Sequence, residues 1–501
     1  MVKTSWYDVR GNPIAIKDFQ GLFNPGEQGV LDPAGNIPDN AFIQAYNVMF
    51  TNSKTIRVRK GIQSVNNSDY RSLRILGIYN GLLVFSHNTG VRTVNPSTYT
   101  EATIDGANPA ALMLEYNDVA YLFYPTAGNI RTWDGAVLTA TALNYQASIG
   151  VNFKSRFFVV PNEATGVSSS QVRYTDIFAV NAPNTASGWT NGGTIDVSSD
   201  DGDFITGLVV LNDTLIIFKR QSTWALYVSG SPSTWTLRNL HPQIGCIGGR
   251  TAKVIGGLIY FRATSGLYRT DGTTFEKLSG NVDGNYKEAG ASVAAATCNL
   301  RSASWWQNYY LIQNGNPSGL IDVYNIETGA WSTWLCTEYD LQDPFWYEIG
   351  NTSSLFFVDY DSSAATGRVV QYQDSVDSYF DGNSQDAVYS VELETKWFDF
   401  DQPTEFKLVR EIDIDTSIEW QSGSSTVTFN VSLSNDAGFL AIRTDSLTSV
   451  YTSTLRNLFR FRGPMRTRTL KLSITHDVVN DLEINSLIFD VGTVGRVGSA
   501  R

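Results

Sequence analysis

Residues 202–230 read GDFITGLVVLNDTLIIFKRQSTWALYVSG and form the clearest structural unit of the chain. β-Branched and aromatic residues dominate three apolar runs, which lie at 205–211, 215–218 and 222–228. The pair Asn212-Asp213 between the first two runs tolerates the left-handed conformations of a two-residue hairpin turn. The pattern predicts an antiparallel three-stranded meander. Because residues 208–211 are apolar on both faces, this meander needs a packing neighbour on each side.

The same apolar–turn–apolar pattern recurs between about residues 72 and 374. The predicted turns lie at Asn80-Gly81, Asn117-Asp118, Lys154-Ser155, Asn212-Asp213, Gly256-Gly257, Gln307-Asn308 and Ser353-Ser354. Their spacings range from 37 to 58 residues, which brackets the period of about 40–45 residues of a four-stranded propeller blade. We therefore predict an all-β protein with a β-propeller of six or seven blades. A sandwich of two large sheets is the alternative, but evenly recurring hairpins favour radial repetition.

The regions around the predicted propeller differ from it in pattern. Long alternating strands near the C-terminus predict an additional β-sandwich-like domain. An alanine-rich stretch at 281–297 predicts one short helix. The predicted divisions are an extended N-terminal arm (1–70), the propeller (71–374) with a polar insertion at about 162–203, a connection (375–391) and the C-terminal domain (392–501).

The composition limits the classes of partner. The 501 residues carry 49 acidic and 37 basic side chains, for a net charge of −12. A free-standing nucleic-acid binder carries a basic footprint, whereas an acidic surface suits a wall that DNA passes without sticking. Three cysteines far apart in sequence, Cys246, Cys298 and Cys336, argue against a disulfide framework. Without a signal core or an apolar run of 18 residues, we expect a soluble, cytoplasmically made protein with no membrane span.

Sequence motifs for catalysis are absent. The chain contains no G-x-S-x-G, H-E-x-x-H, C-x-x-C or nucleotide-binding G-x-x-x-x-G-K-[ST] motif, and each of its three histidines stands alone. We expect no enzyme activity and no cofactor or metal. Residues 199–203 (SDDGD) are a candidate calcium loop, although an exposed turn before a strand is the favoured interpretation.

Two basic clusters and one acidic cluster are candidate surfaces. Glu411, Asp413 and Asp415 alternate and predict one acidic strand face that repels other negative charge. Arg57 and Arg59 are predicted to share a strand face, with a solvated edge strand as the simpler interpretation. The candidate interface or DNA-facing residues are Arg57, Arg59, Lys60, Arg456, Arg460, Arg462, Arg466 and Arg468. Docking to another protein's acidic surface is favoured slightly over DNA contact for the second cluster.

Several stretches resemble one family, the tail hub or nozzle proteins of short-tailed, podovirus-type bacteriophages. The central stretches carry the most specific resemblance, and those near the termini support it. The resembling stretches are 18–22 (DFQGL), 38–47, 57–61 (RVRKG), 172–176 (VRYTD), 202–208 (GDFITGL), 212–227, 245–250 (GCIGGR), 258–274, 396–401 and 470–489. They are fold-like motifs that cover most of the chain and include no catalytic signature.

The resemblance implies a structural protein of the virion's short tail. Such proteins have a β-propeller with additional β domains and form a homohexameric ring below the portal and adaptor rings. Double-stranded DNA leaves through that ring without sequence-specific contact. The implied partners are the adaptor, a tailspike or tail fibre, and a tail needle or plug.

Two other classes of function remain as alternatives. The first is a polysaccharide-degrading propeller of the sialidase type, which needs an arginine cluster, a tyrosine nucleophile and S-x-D-x-G-x-x-W turns; the last do not occur. The second is a carbohydrate- or protein-binding propeller that acts as a monomer. In it, surface tryptophans such as Trp189 or Trp235 would stack on sugar rings.

Overall fold

In a computed structural model of the chain, nearly all the regular elements are strands, which confirms the all-β prediction. It describes residues 6–9, 13–23, 37–65, 68–125, 129–161, 170–286, 301–313, 320–335, 340–349, 352–361, 365–373, 379–381, 384–387, 390–396, 398, 407–419, 425–434, 441–451, 455–467, 471–477 and 481–496.

The N-terminal segment contributes seven short strands to several sheets. They are β1 (Trp6–Val9), β2 (Ile14–Ile16), β3 (Gly21–Leu22), β4 (Ala41–Tyr46), β5 (Val48–Phe50), β6 (Ile56–Val58) and β7 (Gly61–Ser64).

Three consecutive four-stranded antiparallel sheets follow. The first contains β8 (Arg74–Tyr79), β9 (Leu82–His87), β10 (Gly90–Val94) and β11 (Glu101–Asp105). The second contains β12 (Leu112–Tyr116), β13 (Val119–Phe123), β14 (Asn129–Trp133) and β15 (Leu138–Asn144). The third contains β16 (Ala147–Phe153), β17 (Arg156–Pro161), β18 (Gln171–Tyr174) and β19 (Gly193–Asp196), with helix α1 (Ala186–Thr190) before its last strand.

Three further sheets have the same plan. The fourth contains β20 (Ile205–Leu211), β21 (Thr214–Lys219), β22 (Thr223–Tyr227) and β23 (Thr236–His241). The fifth contains β24 (Lys253–Ile255), β25 (Leu258–Ala263), β26 (Gly266–Thr270) and β27 (Phe275–Lys277). The sixth begins with β28 (Ala303–Trp306), β29 (Tyr309–Gln313), β30 (Ile321–Asn325) and β31 (Trp331–Trp334). Short 3-10 turns lie at Ser199–Asp201, Pro232–Thr234 and Ser279–Asn285.

The seventh sheet joins the two ends of the repeat. Its first three strands are β32 (Asp340–Ile349), β33 (Thr352–Asp361) and β34 (Thr366–Gln373). Its fourth strand is β7, which pairs antiparallel with β34 so that Ile62 lies opposite Tyr372 and Ser64 opposite Val370. A strand from before the first blade therefore completes the last one.

The seven first strands form a closed ring. β8, β12, β16, β20, β24, β28 and β32 each contact the first strand of the next sheet, and β32 contacts β8. Seven radially arranged four-stranded sheets around a closed ring of inner strands are a β-propeller. The predicted propeller is confirmed, and the number of blades is seven.

The predicted hairpin turns connect the first and second strands of the blades. Asn80-Gly81, Asn117-Asp118, Lys154-Ser155 and Gly256-Gly257 have positive φ at both positions, as a type I′ turn requires. The seventh prediction was misplaced by a few residues. Ser353 and Ser354 pair with Glu348 and Tyr347 inside the ladder of β32 and β33, because β33 already begins at Thr352.

Each blade packs its two faces against different neighbours. In β21, Leu215 and Ile217 pack in the core between blades three and four. The alternate residues Ile216 and Phe218 pack in the core between blades four and five. Side chains of a strand alternate between faces, so strands apolar on both faces need a blade on each side. This is the arrangement expected from residues 208–211.

The C-terminal strands extend two sheets that also contain N-terminal strands. β37 (Ser390–Thr395), β42, β39 and β40 continue the sixth blade's sheet through β3 and β4, which gives ten strands in all. β38, β41 and β43 form a second sheet with β1, β2, β5 and β6. The remaining bounds are β35 (Tyr379–Asp381), β36 (Ser384–Ala387), β38 (Lys407–Glu419), β39 (Ser425–Ser434), β40 (Ala441–Tyr451), β41 (Leu455–Thr467), β42 (Lys471–Asp477) and β43 (Asp481–Arg496).

One large core, here called the shared core, joins these sheets to the propeller. Phe42 of β4, Ile414 of β38 and Phe489 of β43 belong to the same buried cluster as Tyr260 of blade five and Tyr310 of blade six. The N-terminal segment thus packs with both the C-terminal strands and the blades. A separate C-terminal domain stays a prediction.

Two sequence segments have more strand structure than their composition suggested, and a predicted helix is described only in part. The polar interval 162–203 contains β18 and β19, the outer strands of blade three, as well as α1. The interval 375–391 contains β35 and β36, which extend the seventh sheet beyond β7. Of the predicted helix at 281–297, residues 281–285 lie in the 3-10 segment Ser279–Asn285, and residues 287–297 lie outside the described residues.

The closing strand generates a stability prediction. Ile62 is buried, with 1% of its surface exposed, in the core between blades six and seven. We expect Ile62→Ala to lower the free energy of unfolding by about 2–5 kcal/mol, because it removes buried methyl groups and leaves a cavity. Urea unfolding measures this change. The control is Gln63→Ala on the half-buried face of the same strand, with an expected change within about 0.5 kcal/mol. Equally small changes in the free energy of unfolding at both positions would show that the closing strand does not stabilise the propeller.

Candidate functional site

The inner strands enclose a cavity in the central channel of the propeller. Its volume is about 230 Å³, and residues from six of the seven blades line it. Four inner strands have register shifts where they meet it, in β8, β16, β20 and β32. A β-bulge redirects the side chains around it, so these irregularities shape the wall of the cavity.

An ion pair at the wall of this cavity joins two blades. Arg250 precedes β24 and places Nη2 2.6 Å from Asp343 Oδ1 of β32. The same nitrogen donates to the backbone oxygen of Ile75 at 2.8 Å, and the Ile75 amide donates to Asp343 Oδ2 at 2.8 Å. Asp343 lies in the bulge of β32 with a φ of 51°. These contacts join blades one, five and seven.

Close backbone packing fixes the position of Arg250. A Cβ atom on the preceding residue, Gly249, would overlap the backbone oxygen of Thr206 in β20. Only glycine lets the segment lie this close to the neighbouring blade. The segment 245–250 therefore depends on its glycines to bring Arg250 to the channel.

Two more cations line the cavity beside this ion pair. They are Arg74 at the start of β8 and Lys253 at the start of β24. Burial and, to a smaller extent, the positive charge of Arg250 lower the pKa of Lys253 to about 8, while Asp343 opposes the shift. Burial and Arg250 likewise lower the pKa of Arg74 to about 9. The cavity thus holds three basic groups against one carboxylate.

The structure separates the three residues of the N-terminal basic cluster. Arg57 is exposed on β6, 3.9 Å from Glu483. Arg59 is buried, donates from Nε to Asn47 Oδ1 at 2.8 Å and lies over the ring of Trp334. Lys60 is buried as well. The predicted shared face of Arg57 and Arg59 is wrong because β6 ends at Val58, where strand alternation stops. Arg59 and Lys60 are therefore not surface residues.

The predicted acidic face and the second basic cluster lie on paired strands. β38 and β41 are antiparallel, with Asp413 opposite Arg460 and Glu411 opposite Arg462. Arg460 binds Asp413 through Nε and Nη2 at 3.0 and 3.2 Å and also forms an ion pair with Glu411. Since Asp413 and Asp415 are also buried, the prediction of a repulsive acidic face is wrong. Cross-strand pairing neutralises opposite charges on one face.

The remaining members of the second cluster are placed only in part. Arg456, Arg462 and Arg466 lie on β41 opposite Ser417, Glu411 and Leu408. Arg468 lies outside the described residues. Arg460 is exposed but paired, so its role at an interface stays a prediction.

The candidate calcium loop contains an internal cation. The buried Lys219 Nζ donates to the backbone oxygens of Val197 and Ser198 at 3.0 Å each and to Asp201 Oδ1 at 2.5 Å. The ammonium group therefore already pairs with one carboxylate of this loop. Within the described ranges, no group of three or more His, Cys, Asp or Glu side chains could hold a metal ion. No helix in those ranges is long and apolar enough to span a membrane.

Of the two tryptophans considered for sugar stacking, Trp189 is buried and Trp235 is half-buried. Trp189 of α1 is 2% exposed and stacks on Tyr145. Trp235 packs against Tyr174, with the guanidinium of Arg156 5.5 Å from its ring centre. Trp189 therefore offers no face to a sugar ring.

The channel residues were missed by sequence reasoning. Arg74, Arg250, Lys253 and Asp343 come from three blades and are up to 269 positions apart in the chain. The only local signal is the glycine-rich segment 245–250, which we singled out for its family resemblance. A site made by ring closure has no contiguous motif.

Comparison with known proteins adds little beyond the strand topology. No protein-family model matches the chain, and no curated protein matches it. One similar solved structure is the AfRom2 CNH domain, at 8% identity and a TM-score of 0.39, over 62% of this chain and 99% of that chain. YCF48 from Cyanidioschyzon merolae has 12% identity and a TM-score of 0.41, over 62% and 98%. The Neurospora crassa Pan2 WD40 domain has 10% identity and a TM-score of 0.35, over 65% and 98%.

The lowered pKa of Lys253 predicts how stability depends on pH. Unfolded lysine has a pKa of about 10.4, so the lowered folded pKa of Lys253 makes its charge a cost to folding. That cost is complete below about pH 8 and disappears as pH rises toward the unfolded pKa, since the unfolded state then binds more protons. We expect Lys253→Met to raise the free energy of unfolding at pH 7 by up to about 3 kcal/mol.

Urea unfolding at pH 7 and at pH 10, in buffers that contain only monovalent anions, measures this effect. The gain from Lys253→Met is expected to shrink at the higher pH. Lys277→Met on the exposed outer strand of the same blade is the control and is expected to change little at either pH. A lower free energy of unfolding for Lys253→Met at pH 7 would contradict this account of the channel. So would a gain in that free energy that is the same at both pH values.

Proposed function

We propose that the chain is a structural virion protein, the tail hub or nozzle of a short-tailed bacteriophage. In this role it acts as a homohexamer below the adaptor ring and has no enzyme activity. Double-stranded DNA passes through the hexamer during ejection. Tailspikes or fibres and a needle or plug dock to its outer parts.

The shared core is the observation that carries this proposal. The buried cluster contains Phe42 near the N-terminus, Phe489 near the C-terminus and Tyr310 of blade six. Backbone hydrogen bonds add to this connection, since the Asn47 amide donates to the Thr333 oxygen of β31 at 2.8 Å. Burial on this scale ties the propeller and the terminal strands into one unit. A rigid wall of this kind suits a conduit that must keep its shape while DNA passes.

The charge of the chain supports the same role. A net charge of −12 gives a surface that on average repels phosphate. DNA binds proteins nonspecifically mainly because basic side chains release its counterions. An acidic wall avoids that attraction and lets DNA slide. The sequence resemblance described above supports the assignment to this family of tail proteins.

Inactivation of the gene in the encoding phage tests the proposal. We expect DNA-filled heads that lack the distal part of the tail and form no plaques, because the conduit is missing. Electron microscopy of the particles and plaque counts measure the two effects. Wild-type protein supplied from a plasmid is the control and should restore both.

The purified virion provides the matching structural readout. Six copies arranged around the tail axis support the hub, and the isolated chain is expected to form this ring on its adaptor. Fully infectious particles without the protein would rule the proposal out. A chain that stays monomeric on the assembled adaptor and is absent from virions would instead favour a monomeric binding propeller.

A further inference from the structure

The central cavity has an excess of positive charge in an otherwise acidic protein. Arg74, Arg250 and Lys253 line it, and Asp343 is the carboxylate that pairs with Arg250. Asp343 also attracts Arg74 and Lys253, but its single negative charge cannot balance three cations. An excess of like charge is costly in a partly buried site. Such an arrangement is typical of a site that receives its counter-charge from a ligand.

The hydrogen bonding of these cations also indicates a site for an anion. Arg74 Nε is buried and has no hydrogen-bond partner among the described residues. Lys253 Nζ has no acidic partner within ion-pair distance among the charged groups that the structure describes. Buried polar groups are nearly always paired in native proteins, and exceptions require an explanation such as an absent ion. Arg250 does not explain the exception, since its positive charge repels both.

We propose that the central channel of the propeller binds a small molecule carrying a doubly charged oxyanion group, held by Arg74 and Lys253. Arg250 orients the site through its ion pair with Asp343. Two cations on different blades match the charge of a phosphate-type dianion, and guanidinium and ammonium groups are the side chains that bind such oxygens most strongly.

The size of the cavity limits the ligand to a small one. Its volume of about 230 Å³ lies below the range of about 300–1,000 Å³ that drug-sized ligands occupy. Leu112, Met113 and Phe345 also line it, so a short apolar portion beside the oxyanion would find contacts. A DNA duplex is far too wide for this space. The site is therefore distinct from the DNA conduit of the proposed hexamer and does not depend on that function.

Titration calorimetry with sulfate and with inorganic phosphate tests the proposal on the full-length chain. Chloride at equal ionic strength is the background, so that general salt effects cancel. We expect saturable binding with one site per chain. Lys253→Met and Arg74→Met should each weaken sulfate binding by about tenfold or more, because each removes one charged hydrogen-bond donor. Lys253→Arg should retain most of the affinity.

A matched variant separates this site from general electrostatic attraction. Lys277→Met removes the same charge from the outer strand of the same blade and should leave the dissociation constant within about twofold, as expected for a distant screened charge. Circular dichroism checks that each variant is folded. If one of the two channel variants fails to fold, the other tests the site.

The identity of the ligand follows from a third titration with glycerol 3-phosphate. Tighter binding of this ester than of inorganic phosphate would assign the site to phosphate esters, and equal or weaker binding would assign it to the free ion. The proposal is overturned if the wild-type chain shows no saturable binding to any of the three probes. It is also overturned if folded Lys253→Met or Arg74→Met binds sulfate as tightly as the wild type.

Discussion

The hydrogen bonds between β7 and β34 hold the two ends of the propeller together. Each blade packs on the next by its apolar faces, so an open array would leave one face of the first and last blades in water. Pairing of Ile62 with Tyr372 and of Ser64 with Val370 completes the seventh sheet. Val358 of blade seven and Phe85 of blade one then share one buried cluster, which closes the circle. Both the channel and its cavity exist because the ring is closed.

The same N-terminal segment also determines how the terminal strands attach. Strands β1, β2, β4 and β6 pair with C-terminal strands, β3 and β5 pair with their N-terminal neighbours, and β7 belongs to a blade. The first residues of the chain thus belong to three sheets, one of which closes the ring. This coupling explains why Arg59 and Lys60, at the junction of these sheets, are buried. It also gives the proposed tail subunit a wall whose parts move together.

The sequence predicted the repeat well because hairpin turns are local. Pairs such as Asn80-Gly81 require positive φ, and their recurrence reports the blade period directly. Contacts between strands that are distant in the chain leave no such local pattern and could not be predicted. The pairing of Asp413 with Arg460 depends on the register of β38 and β41, and the buried state of Arg59 depends on where the three-residue β6 ends. The channel cations are further apart in the sequence, since only ring closure brings Arg250 to the start of β8, next to Arg74.

Hydrogen–deuterium exchange at Gly61–Ser64 tests the closure of the ring most directly. Amides paired inside a sheet exchange only when the structure opens, whereas unpaired ones exchange quickly. The closed propeller predicts that the amides of β7 paired with β34 are protected to the same degree as those of β33 and β34. Rapid exchange of β7 while β33 and β34 remain protected would show an open ring and contradict the architecture described here.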